Sequence, residues 1–132
     1  MENDKNLKIL IVDDLQSMRS TVRSILKQIG FTHISEAGDG LQALSQLKKS
    51  KHDLLITDWN MPNMDGISLI RMIRGDADLK DLLVLMVTAE ADKEHVVQAI
   101  KVGISDYIVK PFTADTLQAK IEKIFSHKSS EQ

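Results

Sequence analysis

Short apolar runs, each cut off by a polar residue, alternate along this chain with amphipathic stretches closed by glycine or a polar turn. Ile9-Leu10-Ile11-Val12 stops at Asp13-Asp14, Leu54 to Thr57 at Asp58, Leu82 to Val87 at Thr88, and Tyr107-Ile108-Val109 at Lys110-Pro111. Continuous runs of this length, rich in β-branched residues, suit strands buried on both faces. Phe31 to Glu36 reads as a further short strand. Between the runs the period changes. Met18, Val22, Ile25, Leu26 and Ile29 fall on one helical face before Gly30, and Leu41, Leu44 and Leu47 follow a capping-box-like start at Asp39-Gly40-Leu41-Gln42. Ile67, Ile70 and Ile73 lead to Gly75, and Val96, Val97 and Ile100 lie in a helix over Asp92 to Val102. Leu117, Ile121, Ile124 and Phe125 follow a start at Thr113, and Lys128 to Gln132 reads as a polar tail. Five strand-helix repeats with short connections predict a doubly wound α/β domain, a parallel sheet covered on both faces.

Length and composition narrow the function. With 132 residues the chain predicts a single domain over 1–132, with its core at about 7–127. Its formal charge of −2 gives no pull toward nucleic acid or an anionic membrane. Without cysteine there are no disulfides, thiolate metal sites or cysteine nucleophiles. A polar start and the lack of any run of membrane-spanning length predict a cytoplasmic protein, and nothing exposes an obligate interface, so a monomer is expected. No GxxxxGK[ST] occurs, and the acidic loop after the first strand does not suit a flavin phosphate.

In an open α/β sheet, ligands bind outside the carboxyl ends of the strands. Asp13, Asp14, Asp58, Thr88 and Lys110 each end a strand, so three carboxylates, a hydroxyl and an amine share one rim. Clustered carboxylates repel unless a cation enters, and hard oxygens without His or Cys suit Mg²⁺. A cation so held leaves positions for phosphate oxygens, with Lys110 and Thr88 placed to contact others. Aspartate is a competent nucleophile for phosphoryl transfer, and Asp58, ending the middle strand, is the candidate.

Asp13-Asp14, Asp58, Thr88-Ala89 and Lys110-Pro111-Phe112, each ending its own strand in order, resemble the receiver domain of bacterial two-component response regulators from about Leu7 to Phe125. Asp58-Trp59-Asn60-Met61-Pro62-Asn63-Met64-Asp65-Gly66 and Tyr107-Ile108-Val109-Lys110-Pro111-Phe112-Thr113-Ala114 are similar to the chemotaxis members of that family. The resemblance implies a flavodoxin-like strand order 2-1-3-4-5 and a cis bond between Lys110 and Pro111. It implies phosphorylation of Asp58 by a CheA-type histidine kinase, with Mg²⁺ held by Asp14, Asp58 and the Asn60 carbonyl, and by Asp13 through water. Lys110 would pair with the acyl phosphate, Thr88 would bond it, and Tyr107 would turn inward. The changed surface of the fourth helix, fifth strand and fifth helix, including Ala91, Lys93, Tyr107, Val109 and Lys120, would bind the flagellar switch protein FliM. Asn60 and Glu90 would tune dephosphorylation, alone or with a phosphatase. Such a protein is a signalling phosphoacceptor and no turnover enzyme.

Three stretches depart from the chemotaxis pattern: Leu15-Gln16-Ser17-Met18-Arg19-Ser20, Asp92-Lys93 where two basic residues are usual, and Asp106 before the switch aromatic. Asp92 and the altered Leu15-to-Ser20 stretch keep open a stand-alone receiver that drains phosphate from its kinase or controls a non-motor partner, whereas Asp106 says little by itself. An aspartate-based phosphohydrolase of the haloacid-dehalogenase kind would want an acidic residue where Asn60 stands. Other polar residues have structural readings. Asp39, Asp65 and Asp92 suit caps or turns, Trp59 a partly exposed neighbour of the site, and His33, His52, His95 and His127 surface or interface positions.

Overall fold

The computed structural model describes residues 6–89 and 92–130. Five strands and five helices alternate: β1 Lys8–Val12, α1 Gln16–Ile29, β2 His33–Ala37, α2 Gly40–Lys49, β3 Leu54–Asp58, α3 Gly66–Arg74, β4 Leu83–Thr88, α4 Lys93–Val102, β5 Asp106–Val109 and α5 Ala114–Ser130. All pairings are parallel, in the order β2-β1-β3-β4-β5. The doubly wound expectation and its strand order both hold.

Alternation along the central strands feeds two cores. Leu10, Val12, Leu55, Val84 and Met86 face α2, α3 and α4 through Ala43, Leu47, Ile70, Ile73 and Ala99. Ile9, Ile11, Ile56, Leu85 and Val87 face α1 and α5 through Val22, Leu26, Leu117, Ile121 and Ile124. Because both faces are covered, these strands carry almost no polar side chain until their last residues.

Two helix faces differ from the sequence reading. Leu41 is 52% exposed, because residues six apart on a helix stand about 120° around it, so Leu41 and Leu47 cannot share one face. The buried face of α2 is Gly40, Ala43 and Leu47. On α4 the buried residue is Ala99, while Val97 and Ile100 are exposed and Val96 is half-buried. The last helix also runs to Ser130, past the point where a tail was expected to begin.

Helix ends follow local chemistry. Asp39 accepts from the Gln42 amide, Asp65 from the Ser68 amide and Thr113 from the Thr116 amide. Asp92 occupies the N-cap position of α4 but makes no capping bond, and its carboxylate pairs instead with His95 Nδ1. Gly103 closes α4 with φ of 101°, a left-handed turn that favours glycine, and its carbonyl accepts twice from the Arg74 guanidinium, at 2.9 and 2.7 Å. Arg74 also donates to the carbonyls of Lys80 and Leu82, so one side chain fastens the end of α3 to the turns before β4 and β5.

Candidate functional site: an acidic rim closed by one lysine

β1, β3, β4 and β5 deliver Asp13, Asp14, Asp58, Thr88 and Lys110 to the carboxyl edge of the sheet. One carboxylate oxygen from each of Asp13, Asp14 and Asp58 lies within 4.8 Å of the others. Asp13 is buried, Asp58 half-buried and Asp14 exposed, so the cluster opens to solvent on the Asp14 side. Lys110 Nζ stands 3.2 Å from Asp58 Oδ2 and 3.5 Å from Asp13 Oδ2. It is the cation paired with these acids among the described residues. The Lys110-Pro111 bond is cis, as the resemblance implies.

The backbone fixes both inner acids. Asp13 Oδ1 accepts from the Leu15 amide at 2.9 Å, and Asp58 Oδ1 from the Trp59 amide at 2.7 Å, leaving each second oxygen turned toward Lys110. Arg19 donates to the Asp13 carbonyl and pairs with Glu36, which Arg23 also holds. The loop between β1 and α1 is thereby tied to β2.

Burial raises the Asp13 carboxyl above its ordinary value of 3.8, against the lowering by the Leu15 amide and Lys110, and Asp58 and Asp14 add to the rise. The folded state therefore holds this proton more tightly than the unfolded chain. Its contribution to stability is present at low pH and is lost as pH rises from 3.8 through the raised folded value. Asp13→Asn in metal-free buffer is expected to match wild type near the bottom of that window and to become relatively more stable above it. Urea midpoints across the acid range measure this, and a difference that stays flat with pH contradicts the burial assignment.

Hard carboxylate oxygens without nitrogen or sulfur donors, crowded around one amine and open on one side, fit Mg²⁺. Asn60, whose carbonyl is the further expected ligand, lies in the exposed start of the loop after β3. Thr88 is buried at the end of β4, beside Val109 in register. Tyr107 is half-buried against the α3–α4 core, with Lys120 Nζ 5.2 Å from its ring centre. Lys93 and Val109 are exposed, while Glu90 and Ala91 lie outside the described residues. A separate cavity of about 470 Å³ lies at the opposite, amino-terminal edge of the sheet, between Leu47–Asp53 and Asp78–Leu82.

Trp59 differs from expectation. It is 8% exposed and belongs to the core, with the His95 ring set edge-on at 4.9 Å between centroids. His95 is thus a packing partner of the residue after Asp58. Side chains at 127–130 are outside the described set, and His127 falls among them. Sequence reading noted Asp106 only as a departure before Tyr107 and missed its pairing with the last helix. Its carboxylate accepts from the Tyr107 amide and pairs with Lys120 at 3.2 Å and Lys123 at 3.6 Å, tying β5 to α5. Lys120 and Lys123 recurring on one face of the last helix was the available signal.

The family described as Response regulator receiver domain matches residues 9–122. A Vibrio cholerae protein named Chemotaxis protein CheY-3 is 54% identical over 122 residues, covering 92% of this chain and 94% of its own. The Pseudomonas aeruginosa Chemotaxis protein CheY is 52% identical over 119 residues, covering 90% and 96%. Among solved structures, the response regulator CheY4 of Vibrio cholerae superposes with TM-score 0.84 at 33% identity, covering 90% of this chain and 98% of that one. The receiver domain of the Pseudomonas aeruginosa sensor kinase PA1611, solved with magnesium coordinated in its active-site cleft, gives TM-score 0.84 at 25% identity, covering 92% and 98%. With this fold, this ordered set of strand-end residues and these relatives, the chain belongs to the response regulator receiver domain family and is of the CheY type.

Proposed function

We propose that this chain is a cytoplasmic chemotaxis switch, a single receiver domain that accepts a phosphoryl group on Asp58 from a CheA-type histidine kinase and then binds the flagellar switch protein FliM. The observation that carries the reading is the meeting of Asp13, Asp14 and Asp58 under Lys110 at the carboxyl edge of a parallel sheet. A carboxylate oxygen of Asp58 attacks phosphorus, the bond to the donor nitrogen breaks, and the donor imidazole leaves with the electron pair. Asp14, Asp58 and the Asn60 carbonyl, with Asp13 through water, would hold Mg²⁺, which when bound would neutralise phosphoryl charge. Lys110 holds the phosphoryl oxygens by charge and Thr88 by its hydroxyl. Asn60 and Glu90 set how readily water removes the group.

The same geometry supports the proposed output. Thr88 ends β4, directly before the segment leading to α4, and Tyr107 on β5 packs against the core that α4 shares. Occupancy at Thr88 and the rotamer of Tyr107 then bias the output surface that includes Lys93, Tyr107, Val109 and Lys120, a shift that needs only a few kcal/mol.

One observation favours a stand-alone receiver with a different partner. Asp92 places a carboxylate paired with His95 at the start of α4, beside the output surface where chemotaxis members carry positive charge. A pull-down with a FliM peptide, Mg²⁺ and an acyl-phosphate donor separates the two. Donor-dependent capture that Asp58→Asn abolishes supports the motor switch. A Trp59 fluorescence response to the donor without capture supports the other partner.

A further inference from the structure

The loop that follows Asp58 is fastened at its far end to a different part of the sheet. Met64 N donates to the Pro62 carbonyl at 2.7 Å across Asn63, whose φ is 68°. A three-residue turn of this kind at positive φ is strained for a residue with a side chain. Two contacts hold it. Asn63 Nδ2 donates to Asp39 Oδ2 at 2.8 Å, and α2 begins so close beneath that a Cβ on Gly40 would fall 2.5 Å from the Met64 carbonyl oxygen. Asp39 is buried and already caps α2 with Oδ1, donated to by the Gln42 amide at 2.8 Å. A cap needs one oxygen, so the second oxygen of Asp39 serves the loop.

We infer that Asp39 and Asn63 are positioning residues for the divalent cation: their hydrogen bond fixes the loop from Trp59 to Asp65, and with it the Asn60 carbonyl, before the cation arrives. The inference rests on the reading of Asn60 as a carbonyl ligand of Mg²⁺. A ligand loop held in its bound shape has less freedom to lose on binding, and groups that orient ligands without touching the metal set its affinity.

Two substitutions each remove the bond while sparing the local structure. Asn63→Gly keeps a residue at ease with positive φ, and Asp39→Ser keeps a hydroxyl able to cap α2 but too short to reach Asn63. Mg²⁺ titrations of wild type, both variants and the double variant, read by Trp59 fluorescence, give the dissociation constants, and urea midpoints without Mg²⁺ give stability. Each single variant is expected to bind Mg²⁺ about 10-fold more weakly. The double variant should be no weaker than either one, since a shared bond is lost only once. Unchanged affinity in the singles, or effects that multiply in the double variant, overturns the inference. A wild type with no response to Mg²⁺ overturns the cation reading itself, and this inference with it.

Discussion

Asp58→Asn is expected to lose acceptance of a phosphoryl group from acyl-phosphate donors while its metal-free form melts higher than wild type. The loss follows from removing the attacking carboxylate, and a missing nucleophile costs about 10³-fold or more. The gain follows from electrostatics. Asp58 sits within 4.8 Å of two other carboxylates and 3.2 Å from one ammonium group. At an effective dielectric of about 20 each repulsion is worth ~3 kcal/mol and the attraction ~5 kcal/mol. The two repulsions together exceed the attraction by ~1 kcal/mol before screening. Asp14 is exposed and its share is screened, so the net relief is below about 1 kcal/mol, at most a few degrees in melting temperature. Thermal melts with and without Mg²⁺ read both sides. Wild type should be stabilised by Mg²⁺, because the cation binds the folded state, and Asp58→Asn should lose that response. A variant that melts lower without metal would mean that Lys110 attraction outweighs the crowding of the acids.

Gly66→Ala is expected to damage stability and the site together. A Cβ at Gly66 would lie 2.3 Å from the carbonyl oxygen of Asp58 and 3.2 Å from the Cα of Trp59. Neither neighbour can yield freely. Asp58 is in register with Val87 of β4, and the Gly66 amide donates to the Trp59 carbonyl at 2.8 Å. Either α3 lifts from the sheet and strains the bond from the Gly66 amide to the Trp59 carbonyl, next to Asp58, or the end of β3 bends and moves Asp58 itself. The cost should reach about 2 kcal/mol or more, at the upper end for inserting a methyl into a packed core, with a weakened response to Mg²⁺. Gly75→Ala serves as control, since its Cβ meets the Arg71 carbonyl at 3.4 Å and φ is −86°. That variant should stay within about 0.5 kcal/mol of wild type. Equal effects at the two glycines would remove the close approach of α3 as the cause.

The strands and the acidic rim were legible in the sequence for one reason. A parallel sheet covered on both sides excludes polar side chains from its interior, so Asp13, Asp58, Thr88 and Lys110 stand out where the apolar runs stop. Helix faces were less legible because spacing gives periodicity without saying which side is covered. Val97 and Ile100 have apolar spacing, yet α4 packs through the small Ala99 and leaves them in solvent. Trp59 read as a partly exposed neighbour of the site; its amide does hold Asp58 Oδ1, but its ring is buried in the core with His95 set against it, a contact between residues 36 positions apart. Asp39 read as a cap and is one, while its second bond to Asn63 joins loops that only the topology brings together. Asp92 has the residue type and position of a cap, and the nearby His95 ring takes its carboxylate instead.

Phosphorylation of Asp58 is tested most directly by mass analysis of the intact chain and its peptides after incubation with Mg²⁺ and an acyl-phosphate donor. One added phosphoryl group, dependent on Mg²⁺ and mapped to Asp58 in the peptide carrying Asp58-Trp59-Asn60, is the expected result. A chain that gains no phosphoryl group, or carries it on Asp13 or Asp14 while Asp58 stays free, would contradict the assignment.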